Sequence, residues 1–258
     1  MGRTKAKLQN GQPALGGWIM IGHPSVAELL AGEGFDWLAV DMEHTSTTVR
    51  TFHELSLAVK GSAVDLLVRL PGHDPQITKL VLDSGADGII VPAVNTPEQA
   101  REAVAMAKFP PHGHRGASLC RATDFGRNFR DYYRNHNENV LVVCMLEHID
   151  AVNNVDAILA VPGIDATFIG PYDLSASMGL PGQTDHPDVL EAQQTLLAAC
   201  KRHGVPAGIH VVPVGGDEVS RRIGEGFRFI ACGIDTEFLL FAARHMLQEV
   251  MDTSEVRD

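Results

Sequence analysis

Two carboxylates in this sequence stand where they can share one cation. Glu147 follows the apolar run 140–146, and Asp173 follows the run 166–170. If those runs are adjacent strands, their ends lie about 4.8 Å apart, so both side chains can converge on the same ion. No cysteine accompanies them, and two oxygen donors leave coordination positions open. That donor set suits Mg²⁺ or Mn²⁺ better than a structural zinc. The open positions can take the carboxylate and keto oxygens of a 2-oxo acid, whose ketone the metal would polarise.

A 2-oxo acid polarised in this way is acidic at C3. Removing that proton gives an enolate, which needs a base and a counter-charge. His44 is a candidate base, directly or through water, because imidazole titrates near neutral pH. Asp41, three residues earlier, is a candidate to orient it. Strict strand alternation puts positions 41 and 44 in opposite phase, so that pairing requires the chain to turn at the strand end. Arg69 is a candidate for fixed positive charge at the enolate oxygen, its other reading being an ion-pair partner of Asp41 or Glu43. The segment 170–175, with Gly170, Pro171 and Ser175, offers backbone N–H groups for a carboxylate. His210 lies inside an apolar run and fits core and pocket equally well. Glu43 and His148 read as structural or supporting. His53, His112, His114, His136 and His203 fall on helices or loops and read as solvent-facing.

These residues need a scaffold that gathers strand ends. Apolar runs recur at 17–21, 37–41, 65–70, 88–94, 140–146, 166–170, 206–212 and 228–233. They are continuous rather than alternating, as strands buried on both faces are. Helical segments are expected at 25–34, 48–60, 75–84, 96–108, 149–159, 187–203, 216–224 and 236–250. Thr96-Pro97-Glu98 is a strong helix start, with a Thr cap, Pro at the first helical position and an acid in the first turn. Eight strands alternating with eight helices predict an α/β fold, a single (β/α)₈ barrel over residues 1–258. No Gly-x-Gly-x-x-Gly follows the first strand, which disfavours a dinucleotide-binding sheet. Two connections, 109–139 and 171–186, are long enough to read as lids or binding loops. The second leaves the C-terminal end of a strand, where barrel enzymes place their sites.

Composition narrows the partners. A net charge of −11 argues against nucleic acid as the main ligand. There is no basic run for a membrane surface, and no apolar stretch reaches the roughly 18 residues of a spanning helix. The basic N-terminus leads into polar residues 9–12 rather than an apolar signal core. Cys120, Cys144, Cys200 and Cys232 form no C-x-x-C pair. Cys144 and Cys232 read as small core residues, and the set implies a reducing, cytoplasmic setting. A 45% apolar share supports a sizeable core without disulfide or metal staples.

Taken in order, the motifs resemble a known family. They are Asp41-Met42-Glu43-His44, Val68-Arg69, LDSGADGIIVP at 82–92, FPPHGHRG at 109–116, Glu147 and GPYDLS at 170–175. The set is similar to the class II metal-dependent pyruvate aldolases of the 4-hydroxy-2-oxoheptanedioate and 2-dehydro-3-deoxyglucarate aldolase type. The resemblance implies a (β/α)₈ barrel that reversibly cleaves a 4-hydroxy-2-oxo acid to pyruvate and an aldehyde, in aromatic or sugar acid catabolism. It implies a divalent metal (Mg²⁺, Mn²⁺ or Co²⁺) on Glu147 and Asp173, with no organic cofactor. It assigns proton transfer to His44 with Asp41 and the pyruvate oxygen to Arg69. Asp83 matches an acid that serves a neighbouring subunit's site. The family's hexamers, trimers of dimers, imply a last helix packed on a partner.

One position departs from the pattern. Members often carry Gln two residues before the metal-binding Glu, and here that residue is Met145. Positions 145 and 147 share a strand face, so Met145 is expected to line the pocket and to alter the aldehyde half of the substrate. Two other functions fit the same barrel. A CoA-thioester lyase of the citrate lyase beta or malyl-CoA lyase type needs a basic cluster for its phosphates, and none is present. A non-catalytic barrel that binds a 2-oxo acid needs no base beside the enolate position.

Overall fold

The structure is a computed structural model that describes residues 2–212 and 215–255. The apolar runs form eight strands: β1 (Ala14–Ile19), β2 (Trp37–Asp41), β3 (Asp65–Arg69), β4 (Gly88–Val91), β5 (Leu141–Leu146), β6 (Ala166–Ile169), β7 (Gly208–His210) and β8 (Phe229–Ile234). Each pairs in parallel with the next, and β1 pairs with β8, so the sheet closes into the expected barrel. The helices are α1 (Arg3–Gln9), α2 (Pro24–Ala31), α3 (Val49–Ala58), α4 (Pro75–Asp83), α5 (Pro97–Ala107), α6 (Phe129–Asn139), α7 (Ile149–Asn153), α8 (Val155–Leu159), α9 (Pro171–Ser177), α10 (Pro187–His203), α11 (Gly216–Glu225) and α12 (Asp235–Glu255).

Period-two alternation sorts every strand into two cores. Trp18, Trp37, Ala39, Leu67, Ile90, Val143, Met145, Phe168 and Phe229 fill the barrel interior. Their neighbours Ile19, Leu38, Val40, Val68, Ile89, Val142, Cys144, Ile209 and Ile230 face the helices. Each fully buried large side chain contributes about 1.5–3 kcal/mol, which is why no disulfide is needed. Cys144 is buried as expected, whereas Cys232 is only partly covered. Gly16 is what lets the interior pack: a Cβ there would stand 2.1 Å from the Trp37 ring. Trp37 instead stacks on Phe229 with centroids 4.2 Å apart.

The N-terminal end of the barrel is closed by α1. Leu8 joins the interior core, and Lys5 Nζ donates to Val140 O at 2.8 Å and pairs with Asp165 at 2.9 Å. The start of α5 carries a full capping box between Thr96 and Gln99, beside the Pro97 that marked it in sequence.

Several elements differ from the sequence expectation. The second helix begins at Pro24 with His23 as its cap, not at Ser25. The run 149–159 is divided at Asn154 into α7 and α8. Helices α1, α6 and α9, and a 3₁₀ turn at Arg121–Gly126, were not anticipated. Helix α6 escaped notice because its packed face is aromatic and polar, with His136 its one fully buried residue and Tyr133 exposed. Phe129, Tyr132, Tyr133 and His136 recur at helical spacing, and Phe109 packs on the last three. His136 is therefore not solvent-facing. It is buried, its ring lies 2.9 Å from Ala107 O, and burial beside Arg115 pushes its pKa down to about 3.

Candidate active site

Alternation that points Trp37 and Leu67 inward lower down also points the last residues of the strands into the barrel mouth. A cavity of about 370 Å³ opens there, lined by Trp18, Asp41, His44, Arg69, Met145, Gly170, Pro171, Asp173 and His210. A smaller one of about 230 Å³ adjoins it, lined by Glu43, His44, Asn95, Glu147 and Asp173. His44 and Asp173 line both.

Glu147 is 8% exposed, and its Oε1 accepts the Ala93 N–H at 2.8 Å. Ala93 delivers that N–H from a left-handed backbone, φ 50°, unusual for a residue with a Cβ. Strain of this kind costs about 1–2 kcal/mol and persists where the surroundings impose it. Burial raises the Glu147 pKa to about 7, and the charges of Asp173 and Glu43 add to this against the Ala93 hydrogen bond and Arg69. Glu43 is also shifted up, chiefly by burial, with Arg69 and His44 opposing. A cluster of acids held at this electrostatic cost is relieved by a cation.

The donors fit one. A Cβ on Gly170 would lie 2.8 Å from Glu147 Oε2 and 3.8 Å from Asp173 Oδ2, so both oxygens flank the same point. Asn95 Oδ1 is buried with no partner among the described residues and lines the same small cavity, suiting a metal-bound water. Hard oxygen donors with room for water match Mg²⁺ or Mn²⁺. Gly170→Ala should keep the barrel but push Glu147 aside, weakening Mn²⁺ affinity by about tenfold or more in a metal titration.

Across the mouth, Asp41 is fully buried and grips Arg69 with both oxygens, at 2.9 Å to Nε and 2.6 Å to Nη2. The guanidinium also lies 4.7 Å from the centre of the Trp18 ring and 3.4 Å from Glu43. Bidentate pairing plus a cation–π face fixes the charge in direction as well as place. The chain does turn at the strand end, as a contact between Asp41 and His44 required. Asp41 Oδ1 accepts the backbone N–H groups of Glu43 at 2.9 Å and His44 at 3.3 Å. It does not hold the imidazole, however, because Arg69 occupies both of its oxygens. The carboxylate nearest the ring is Glu43, 3.6 Å from Nε2. His44 is 57% exposed at its side chain, open to solvent protons.

His210 faces the cavity. Its Nε2 is buried without a partner among the described residues, and burial together with Arg69 pushes its pKa down to about 4, so it is neutral at pH 7. Met145 is 3% exposed and lines the cavity, as strand phase predicted. Ser175 does not: α9 buries it, its hydroxyl donates to Tyr172 O at 2.7 Å, and it accepts from Gly182 N–H. It braces the loop after β6, whose Thr184 and Asp185 do line the cavity. Sequence reasoning missed Trp18 and Gln193. Trp18 had a signal, since it is in phase with Ala14 on β1.

The HpcH/HpaI aldolase/citrate lyase family profile matches residues 15–242, nearly all of the barrel. The chain belongs to this family. It is 38% identical over 251 residues to a 5-keto-4-deoxy-D-glucarate aldolase of Shigella sonnei, covering 97% of this chain and 96% of that one. A solved HpcH/HpaI aldolase/citrate lyase family protein from Burkholderia cenocepacia superposes with TM-score 0.92 at 36% identity, covering 97% of this chain and all of that one. An HpcH/HpaI aldolase from Desulfitobacterium hafniense gives 0.88 at 29% identity, with 97% of each chain covered. The chain is thus a carbon–carbon lyase of the aldolase type.

Two family-matched features lie outside this chain's own mouth. Asp83 ends α4 and pairs with buried Arg115 at 2.7 Å. The segment 109–139 follows α5, and its Arg121 donates to Ser84 O and Ser56 O. Both follow helices that run back against the strands, so they sit at the end where strands begin. The expectation that 109–139 lines the pocket is not met within the chain.

Proposed function

We propose that this aldolase reversibly cleaves a 4-hydroxy-2-oxo acid to pyruvate and an aldehyde, with Glu147 and Asp173 holding Mg²⁺, Mn²⁺ or Co²⁺. The observation that carries this is the convergence of Glu147 and Asp173 beside Gly170, across the mouth from the clamped Arg69. When bound, the cation supplies Lewis-acid polarisation of the 2-oxo group.

The chain's own residues do the rest. Arg69 stays charged and offers fixed N–H donors to the oxygen that becomes the enolate, without reorganising, because Asp41 and Trp18 already hold it. The amide groups of Tyr172 and Asp173, behind Pro171 in the first turn of α9, have no intrahelical acceptor and can receive the substrate carboxylate. In cleavage, His44, directly or through water, takes the proton of the 4-hydroxyl. The C3–C4 bond breaks, its electron pair becomes the enolate of pyruvate, and the aldehyde departs. Returning the proton to C3 completes pyruvate. Glu43 lies 3.6 Å from the imidazole Nε2 during that interval. Asp83 is assigned to a neighbouring subunit's site.

Helix α12 supports an assembly. Its Leu239, Leu240, Phe241, Met246 and Leu247 are each at least half exposed, a face suited to burial on a partner in a homo-oligomer, a hexamer by family pattern. The remainder of residues 1–258 acts as one barrel domain in a cytoplasmic enzyme of sugar acid catabolism. Among the described residues no helix is long and apolar enough to cross a membrane.

The test is pyruvate release from a panel of 4-hydroxy-2-oxo acids. Activity should vanish with excess EDTA and return with Mn²⁺, Mg²⁺ or Co²⁺. Undiminished turnover in EDTA would exclude the reading.

A further inference from the structure

Helix α10 links β6 to β7, the strands whose ends carry Gly170 and His210. Its buried stripe is Val189, Ala192, Gln193, Leu196, Ala199 and Cys200. Five of the six are apolar or nearly so and pack into the core between helices and sheet. Gln193 breaks the pattern. It is 5% exposed, lines the cavity at the barrel mouth, and its side-chain amide makes no hydrogen bond to any described residue.

Its amide is not among the sealed, unpartnered polar atoms of the described residues, so it reaches the open cavity, and leucine at the same place would continue the stripe. No described residue uses that amide, whereas a ligand in the cavity is within its reach. Part of the surrounding wall is apolar. Met145, Phe168, Leu190 and Val212, all on the same cavity, offer no conventional donor. His210, also on this cavity, has a polar atom without a partner among the described residues and is neutral at pH 7. Asp41, Arg69 and Glu147, on or just after β2, β3 and β5, serve the 2-oxo half of the substrate together with Asp173 after β6, and Thr184, Asp185 and Arg222 also line the cavity. The α10 side is left for the half that leaves as aldehyde. An amide both donates and accepts, as a hydroxyl does, so the group it complements is an alcohol.

We propose that Gln193 is a specificity-determining residue that hydrogen-bonds a hydroxyl of the aldehyde half, making this aldolase selective for hydroxylated aldehydes over plain aliphatic ones. The inference rests on the pyruvate-aldolase reading above and deepens it. A site built to hydrogen-bond a hydroxyl discriminates against the analogue lacking it, because its own polar group is then left unpaired.

The experiment is aldol addition of pyruvate to glyceraldehyde and to propionaldehyde, three-carbon aldehydes that differ in hydroxylation, with Mn²⁺-loaded enzyme. Wild type should favour glyceraldehyde in kcat/KM. Gln193→Met, close in length but without the amide, should lower that preference by roughly five- to tenfold, the scale of one neutral hydrogen bond. Gln193→Leu is the second variant, so that a packing fault in either one is recognised. Melting temperatures are read alongside, and both variants should match wild type. An unchanged preference in the two variants overturns the proposal, as does a wild type that does not distinguish the aldehydes. A lowered melting temperature in both with the preference intact identifies a structural amide and overturns it too. Exchange of pyruvate methyl protons in deuterium oxide by wild type needs no aldehyde. If that exchange is absent, the aldolase reading itself fails and the inference goes with it.

Discussion

Glu147→Gln should keep the barrel, lose its stabilisation by metal, and lose about a thousandfold in turnover. The amide preserves an acceptor for the Ala93 N–H but removes the charge. A cation at a hundred times its dissociation constant stabilises the native state by about 2.7 kcal/mol. For a chain of this size that raises the melting temperature by roughly 5–10 °C, and the variant should show almost none of the rise. The loss in turnover corresponds to about 4 kcal/mol of transition-state stabilisation, a plausible share for Lewis-acid polarisation. The same carboxyl sets a pH dependence. Its folded pKa, about 7, lies above its ordinary 4.5. In metal-free protein the native state thus holds a proton that the unfolded chain has already released across that interval, so stability falls as pH rises through it. Metal-free Glu147→Gln should accordingly melt above metal-free wild type at pH 8 and level with it near pH 4.5. Because a cation must displace that proton, Mn²⁺ affinity should increase by up to about tenfold per pH unit and level off above about 7. Flat affinity between pH 5.5 and 8, in calorimetric titration, would show that Glu147 is not a ligand.

Those expectations draw on residues that the sequence already displayed, and the reason is periodicity. In a closed parallel barrel, the strand ends that carry polar residues are forced to one rim, so Asp41, Arg69, Glu147 and Asp173 could be gathered without coordinates. Met145 was placed by the same phase argument. What alternation does not encode is which neighbour a side chain chooses. Asp41 looked like a partner for His44 because they are close in sequence. Arg69, 28 residues away, sits one strand over and offers two N–H groups in register with two oxygens. Ser175 looked accessible in a polar turn, but the turn is helix α9 and its own winding buries the hydroxyl. Gln193 was hidden for a different reason: helices surround the barrel, and nothing in an isolated amphipathic stripe says that one of its residues reaches past the strand ends. Helix α6 was lost to an aromatic stripe that hydropathy scores as polar. For Gln193, a polar residue inside an otherwise apolar stripe was visible and is the signal to use.

Asp41→Asn should damage stability and turnover together, and its pattern of damage separates two roles for Asp41. The substitution keeps one acceptor oxygen and turns the other into an amide that donates toward a guanidinium that also donates. Breaking a buried ion pair from one side costs about 3–5 kcal/mol, because the remaining charge is stranded. At roughly 2–4 °C per kcal/mol the melting temperature should drop by about 10 °C. Turnover should fall by about 10²–10³, since Arg69 keeps only its stack on Trp18 and no longer aims at the enolate oxygen. If Asp41 acted by orienting the His44 ring, the pH–rate profile would change shape, its lower limb moving with the imidazole. The geometry requires the opposite: the profile drops in height and keeps its limbs, because the contact from Asp41 to His44 is with the backbone N–H alone. A thermodynamic cycle with Arg69→Met completes the argument. Once the guanidinium is gone, Asp41→Asn strands no charge and should cost little further stability, so the two losses are strongly non-additive. The double variant should regain much of the melting temperature and none of the turnover. Additive losses in stability would mean that the clamp is not what holds Arg69 in place.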